Sequence, residues 1–335
     1  MSDIERESVS FIADFNRVKA EISKVIVGNE QIIDGVLICL LAGGHALLEG
    51  VPGLGKTLLV RTLSQSVSLT FSRVQFTPDL MPADITGTNI LSETATGQKE
   101  FKFQAGPVFA NIVLADEINR ATPKTQSAML EAMQEHAVTV AGIQHRLKQP
   151  FLVLATQNPI EMEGTYPLPE AQLDRFLYKL LVKSPTFEDL ATIIDRTTGV
   201  PQQEIEAVID GETILKMRAL AREVPMAPSV REFAIRVVLA TQPDSPFAPN
   251  SVKQFVRFGS SPRGAQAIVT TAKIKALLSG RFNVALEDIA SVAVPALRHR
   301  LILNFEGQAE AIEPDTLIED IIKKSQAETA PKVGV

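Results

Sequence analysis

The sequence predicts an α/β fold, a parallel sheet flanked by helices and followed by a smaller, all-helical C-terminal domain. Three observations lead there. Up to about Val182, short apolar runs rich in β-formers alternate with helical patterns, the signature of a parallel sheet wound with helices. Between one such strand and one such helix stands Gly50-Val-Pro-Gly-Leu-Gly-Lys-Thr57, a complete G-x-x-x-x-G-K-T loop. Beyond Lys183-Ser-Pro-Thr186, which reads as a linker, strand signals fade and amphipathic helices take over. A chain of 335 residues is long enough for two cores. The expected domains are residues 1–183 and 184–330.

Taken in order, Gln31–Ala42 reads as a helix and His45–Glu49 as the first buried strand. The loop follows, then a helix over Thr57–Val67 and a strand over Arg73–Phe76. Thr88–Gly106 reads as an insertion, with a strand-like Phe101-Lys-Phe103 and a turn at Thr96-Gly97. Ile112–Ala115 is the next core strand. The helix over Pro123–Glu135 is well marked: Thr122 can cap it, Pro123 suits its first turn, and Thr125, Ala128, Met129, Ala132 and Met133 form one stripe. Ala137–Leu147 reads as a hairpin turning near Gly142, a second insertion. Strands over Phe151–Ala155 and Tyr178–Val182 complete the sheet. In the second domain Ala265, Ile268, Val269, Ala272 and Ala276 recur at helical spacing, Leu286–Leu301 behaves similarly, and the chain from about Lys324 reads as frayed and polar.

The loop carries the first chemistry. Gly50, Gly53 and Gly55 permit backbone angles that turn several N–H groups toward one concavity, with the positive end of a helix behind them. Lys56 can reach the outer phosphates of a nucleoside triphosphate, and the Thr57 hydroxyl can hold Mg²⁺. The run Gly50, Val51, Pro52, Gly53, Leu54, Gly55, Lys56 and Thr57, with Leu58 opening the helix, is therefore the expected nucleotide-binding stretch. Ile112-Val-Leu-Ala-Asp116-Glu117 is an apolar strand ending in two acids. Asp116 can order water on the metal and Glu117 can polarise the attacking water. A solvated acidic turn is the plain alternative. Asn158, at the end of another apolar strand, can sense the γ-phosphate or simply cap the strand. Arg175 stands just before the fifth strand, free to pair with Asp174 or to act elsewhere. Arg263 opens a helix in the second domain, placed to lean over the nucleotide or to be solvated.

Composition narrows the function. A net charge of −6 argues against a general nucleic-acid binder, since phosphate contacts demand clustered Lys and Arg. Cys39 is the only cysteine, so no intrachain disulfide or cysteine-based zinc site can form, which fits a reducing cytoplasm. The opening Met1-Ser-Asp-Ile-Glu-Arg-Glu7 lacks the features of a secretory signal. The most apolar stretch, Val36–Ala42, is too short to span a bilayer.

Longer runs carry a more specific likeness. Val74–Gly87, Gly106–Ala110, Asp116–Gln126, Ala155–Pro159 and Glu163–Phe176 resemble the MoxR family of AAA+ ATPases, and the likeness extends from about Val25 to Leu303. The resemblance implies a nucleotide-binding core with a helical lid, working as a ring, usually hexameric. It implies ATP and Mg²⁺, with Lys56 and Thr57 in Walker A and Asp116 and Glu117 in Walker B. Asn158 matches the sensor-1 position, Arg175 the arginine finger offered to a neighbouring subunit, and Arg263 the sensor-2 arginine of the lid. Val27 and Gly28 match the stretch lining the adenine pocket. The two insertions resemble the helix-2 insert and the pre-sensor-1 hairpin. Gly264 departs from the family, which more often has alanine there, and glycine costs about 1 kcal/mol of helix stability. The family further implies ATP hydrolysis coupled to remodelling or maturing partner proteins, often ones bearing von Willebrand factor A domains and serving metalloenzyme assembly. A nucleic-acid motor and a chelatase-type metal-insertion subunit are the alternatives. The first is opposed by the acidic balance. The second finds no visible ligand cluster, because His45, His136, His145 and His299 are scattered.

Overall fold

The apolar runs become strands because they can be buried on both faces at once. The structure is a computed structural model that describes residues 3–93, 98–159, 164–198 and 204–329. Met1-Ser2, the Thr96-Gly97 turn and Glu163 lie outside the described residues. Tertiary contacts divide the chain into two units: residues 14–175 with 180–216, and residues 3–13, 176–179 and 217–329.

Helices α1 (Asp3–Val25) and α2 (Glu30–Ala42) precede β1 (Ala46–Glu49), α3 (Lys56–Ser66) and β2 (Phe71–Gln75). The first insertion comprises α4 (Pro82–Thr86), β3 (Gly87–Glu93) and β4 (Lys99–Ala105). Then come β5 (Ile112–Asp116), α5 (Pro123–Glu135), the hairpin β6 (Ala137–Val140) and β7 (Ile143–Arg146), and β8 (Leu152–Gln157). The series continues with α6 (Glu170–Leu173), β9 (Tyr178–Leu181) and α7 (Phe187–Thr198). The five core strands lie in the order β2-β5-β8-β1-β9, with β2–β5, β5–β8 and β8–β1 parallel. Ile112 to Ala115 and Leu152 to Ala155 are wholly buried at the centre. Each such Leu, Ile or Val contributes about 1.5–3 kcal/mol. Helix α2 is apolar almost all round because it too is enclosed, from Ile32 through Leu41 apart from Asp34.

Several boundaries shift for local reasons. Strand β2 begins two residues before the expected Arg73, since Phe71 and Ser72 pair with Ile112 and Val113. Thr122 takes the N-cap position of α5, but its hydroxyl meets that of Thr125 (3.3 Å) and no backbone N–H. The second insertion is a two-residue hairpin in which Ala141 (φ 50°) and Gly142 (φ 79°) both turn left-handed between paired Val140 and Ile143. His45 is structural. Its Nδ1 accepts from the Val153 N–H (2.9 Å), so Nε2 carries the proton and donates to the Met133 carbonyl (3.0 Å). His145 on β7 stacks on Phe103 of β4, ring centroids 3.8 Å apart, so the two insertions touch.

The first insertion has a tight base. A Cβ on Gly87 (φ 91°, ψ 174°) would lie 2.2 Å from the Gln104 carbonyl oxygen. Gly87→Ala therefore meets both a backbone clash and a conformation almost reserved for glycine. We expect a loss on the order of 3 kcal/mol, read as a lower urea midpoint at unchanged slope.

The other unit is helical: the end of α8 (Gly211–Glu223), then α9 (Pro228–Leu239), α10 (Asn250–Phe255), α11 (Pro262–Leu278), α12 (Leu286–Leu297), α13 (Phe305–Ala309) and α14 (Pro314–Thr329). It also holds a small ribbon of β10 (Val256–Phe258) against β11 (Ile302–Leu303), too short to register as alternation in the sequence. The buried face of α11 is displaced from the expected stripe: Ile268, Ala272 and Ala276 are buried, Ala265 and Val269 only half so, and Ala267, Thr271, Ile274 and Leu277 join them because α11 packs on both α9 and α12. Helix α12 stops at Leu297, four residues short of expectation, after Pro295 has removed one backbone donor from its last turn. The stretch from Lys324, expected to be frayed, continues α14 through Thr329. Ser325 is buried there and Glu328 pairs with Arg236 at 2.8 Å. Among the described residues no helix is long and apolar enough to cross a membrane.

Candidate active site

The glycines of the loop do different jobs. Gly53 (φ 83°) and Gly55 (φ 73°) take left-handed angles with open space where a Cβ would stand, so backbone conformation alone selects glycine. Gly50 is instead required by close approach, since a Cβ there would sit 2.7 Å from the Val182 carbonyl oxygen. Gly55 caps α3 without a side-chain partner, which leaves the first-turn N–H groups facing outward. The loop, β5 and the end of β8 surround a cavity of about 420 Å³. Lys56 folds back so that Nζ donates to the Gly50 carbonyl and, at 3.4 Å, to that of Val51. Burial pulls its ammonium below the usual lysine range, and the carboxylates of Asp116, Glu117 and Glu49 oppose that pull.

The acids sit opposite the loop. Asp116 Oδ1 accepts from the Thr156 hydroxyl (2.7 Å), and Oδ2 accepts from Arg73 Nε (3.1 Å) and a terminal nitrogen of the same guanidinium (2.7 Å). The Thr156 hydroxyl in turn accepts from the Glu117 N–H (2.8 Å), so one buried threonine orients both acids. Glu117 adopts φ 56°, ψ 50°, left-handed geometry that turns its side chain out of the strand direction. Such an angle costs a non-glycine residue on the order of 1–3 kcal/mol and persists only where its surroundings hold it. Gln126 supplies part of that hold. Its buried amide donates to the carbonyls of Ala121 (3.1 Å), Ile118 (3.3 Å) and Tyr166 (2.8 Å), pinning the turn after Glu117. Glu117 Oε2 accepts from Gln75 Nε2 (2.9 Å) and Arg120 (3.0 Å).

The cavity thus gathers Pro52, Gly53, Gly55, Lys56, Thr57 and Leu58 of the loop with Asp116, Glu117 and Asn158. Thr57 and Asp116 present oxygen donors to one space, a chemistry that would suit Mg²⁺. Other expected residues lie elsewhere. Gly50, Val51 and Leu54 form the loop's frame without lining the cavity. Val27 and Gly28 precede α2, where Gly28 (φ 66°) lets the chain approach Asp189, a Cβ there falling 2.7 Å from that carboxylate. Arg175 follows α6 and does not line the cavity, and its buried Nε has no hydrogen-bond partner among the described residues. Arg263 belongs to the helical unit, on the first turn of α11, its N–H held by the Ser261 hydroxyl (3.1 Å).

Arg73 and Thr156 line the cavity and were not among the expected site residues. Thr156 was within reach of sequence reasoning, as the residue next to the amides that end an apolar strand. Arg73 was not. It reaches Asp116 only because β2 pairs with β5, an adjacency no local pattern encodes.

Comparison with known proteins agrees with this geometry. Residues 45–178 match the model of the ATPase family associated with various cellular activities (AAA), and residues 250–321 match the AAA lid domain. The chain is 44% identical to Chaperone MoxR1 of Mycobacterium tuberculosis over 94% of its own length and 83% of that protein. It is 30% identical to Protein MoxR of Methylorubrum extorquens, over 90% of this chain and 92% of the relative. A crystal structure of a Cytophaga hutchinsonii protein superposes with a TM-score of 0.89 at 40% identity, covering 96% of each chain. A phosphate loop facing two strand-end acids, with a lid match downstream and full-length relatives of this kind, places the chain in the MoxR family of AAA ATPases.

Proposed function

We propose that this protein hydrolyses the phosphoanhydride bond of ATP, with Mg²⁺, in a ring of subunits, and uses the cycle to remodel or mature partner proteins. The observation that carries the catalytic part is the single cavity joining Lys56 and Thr57 to Asp116, Glu117 and Asn158. In this reading the N–H groups of Gly53 and Gly55 cradle the phosphates, and Thr57 and Asp116 hold the metal. Held there, Mg²⁺ would supply positive charge against the phosphates. Glu117 takes a proton from the attacking water at Oε1, since Gln75 and Arg120 already occupy Oε2. Asn158 orients that water or the γ-phosphate, Val27 and Gly28 border the base, and Arg263 answers the nucleotide from a lid that begins after about Lys183. Arg175 serves the ATP of a neighbouring subunit, a reading supported by its position outside its own cavity. A ring of six, a cytoplasmic setting and a client bearing a von Willebrand factor A domain complete the proposal and follow from kinship to MoxR proteins.

Assembly provides the direct test. With sites completed across subunit boundaries, the ATPase rate per subunit rises with protein concentration in step with the mass measured by light scattering. A monomer that turns over ATP at a concentration-independent rate would remove the ring and the trans role of Arg175 together.

A further inference from the structure

The turn after α12 does something that no role assigned above uses. Phe176 to Lys179, the four residues directly behind Arg175, belong to the helical unit, whereas Arg175 and Leu180 on either side belong to the other. Their backbone is gripped by consecutive side chains of Arg298-His-Arg300. Arg300 donates to the carbonyls of Phe176 (2.7 Å) and Leu177 (3.3 Å), and also to that of Ala296 in the last turn of α12. His299 Nε2 stands 3.0 Å from the Phe176 carbonyl and 2.8 Å from Arg300. Arg298 donates to the Lys179 carbonyl (3.4 Å) while a two-pronged pair with Asp315 (2.6 and 2.9 Å) fixes it to α14.

This is a costly arrangement for a turn. Arg300 and His299 are both buried, and a buried guanidinium is tolerated only when its donors are satisfied. Burial, and then the charge of Arg300, holds the His299 imidazole well below its ordinary pKa, so the ring stays neutral and adds no second charge to the cluster. The acceptors are backbone carbonyls, so the grip specifies the path of the chain at 176–179 and not its side chains. The same Arg300 stem packs under the first turn of α11. A Cβ on Gly264, the residue after Arg263, would lie 3.2 Å from Arg300 Cδ and 2.0 Å from the Ser260 hydroxyl oxygen. A methyl group there would displace the Ser260 hydroxyl and press on Arg300 Cδ and Leu297, so the glycine that departs from the family habit also relieves packing at this turn.

We infer that Arg300, seconded by His299, is a positioning residue that sets the backbone behind Arg175 and ties it to the turn that carries Arg263. The inference rests on the reading of Arg175 as the arginine supplied to a neighbour. Through this grip, a change in the Arg263 turn reaches the presentation of Arg175 by way of one side chain.

Mixed rings separate positioning from general damage. Arg300→Met rings should keep their ATP affinity and lose about 10²-fold in rate, the scale of a catalytic group displaced by roughly an ångström. Mixing them with Glu117→Gln subunits, whose own sites are dead but whose Arg175 is properly held, should restore turnover in the Arg300→Met sites. The Arg175→Ala/Arg300→Met double variant should be no slower than Arg175→Ala alone. The idea is overturned if Arg300→Met turns over normally. It is equally overturned if mixing rescues Arg175→Ala but not Arg300→Met, or if the two losses multiply. Normal turnover by Arg175→Ala alone would instead remove the arginine reading on which it stands. Should Arg300→Met fail to form rings, Arg300→Lys carries the same test, keeping the charge but not the fork, with a smaller loss and the same rescue.

Discussion

Replacing Arg175 by alanine should lower the ATPase rate of the proposed ring by about 10³–10⁵-fold, the range by which a supplied arginine accelerates phosphate-loop enzymes. The physical reason is charge. Negative charge spreads over the transferring phosphoryl oxygens, and a guanidinium fixed beside them in a water-poor site stabilises that charge without reorganising solvent. Arg175 is suited to the task because nothing in its own cavity claims it, and because the chain behind it is held by buried donors. ATP binding by the variant should persist, since the loop, Lys56 and Thr57 are untouched. The decisive measurement titrates Arg175→Ala subunits with Glu117→Gln subunits. Each is nearly inactive alone, and a ring containing both has sites where an intact base meets an intact neighbouring arginine. A curve that rises and then falls with the mixing ratio supports action in trans. A flat curve assigns Arg175 to its own subunit.

The second large effect concerns Glu117. Glu117→Gln should lower turnover by about 10²–10⁴-fold, the usual worth of a positioned general base, with ATP affinity kept. The substitution is a clean probe here because glutamine can keep the existing geometry. Its amide oxygen still accepts from Gln75 and Arg120, and its backbone N–H still donates to Thr156. What it loses is the ability to take a proton. Single-turnover hydrolysis measured beside equilibrium nucleotide binding separates the two effects. An unchanged hydrolysis rate would strip Glu117 of the role of base and leave it as one more member of the polar wall.

How much of this was legible in the chain depends on distance along it. The phosphate loop is contiguous because most of its job is local: Gly53 and Gly55 shape one turn and the next two residues face one cavity, although Gly50 answers to the distant Val182. The acids and Asn158 end apolar strands, and a strand buried on both faces announces itself as an unbroken apolar run. The Gly142 hairpin and most of the α5 stripe followed from turn chemistry and periodicity in the same way, with Ala128 half-buried and Gln126 and Leu130 buried in addition. The misreadings share a cause. The tail beyond Lys324 looked polar, yet Ser325 is enclosed and Glu328 finds Arg236, a partner about ninety residues away.

The sequence by itself determined the nucleotide loop, the strand-end acids and the kinship with MoxR proteins, because each is a run of neighbouring residues answering to one ligand or one burial environment. Only the tertiary structure decided that Arg73 meets Asp116, that one Thr156 hydroxyl orients two acids, that Gly264 is bare to admit its neighbours, and that Arg300 holds the chain behind Arg175. Those contacts depend on which strands pair and which helices pack. Hydrogen bonds are satisfied within about 3 Å in space whatever the separation along the chain, and that separation is all a sequence displays.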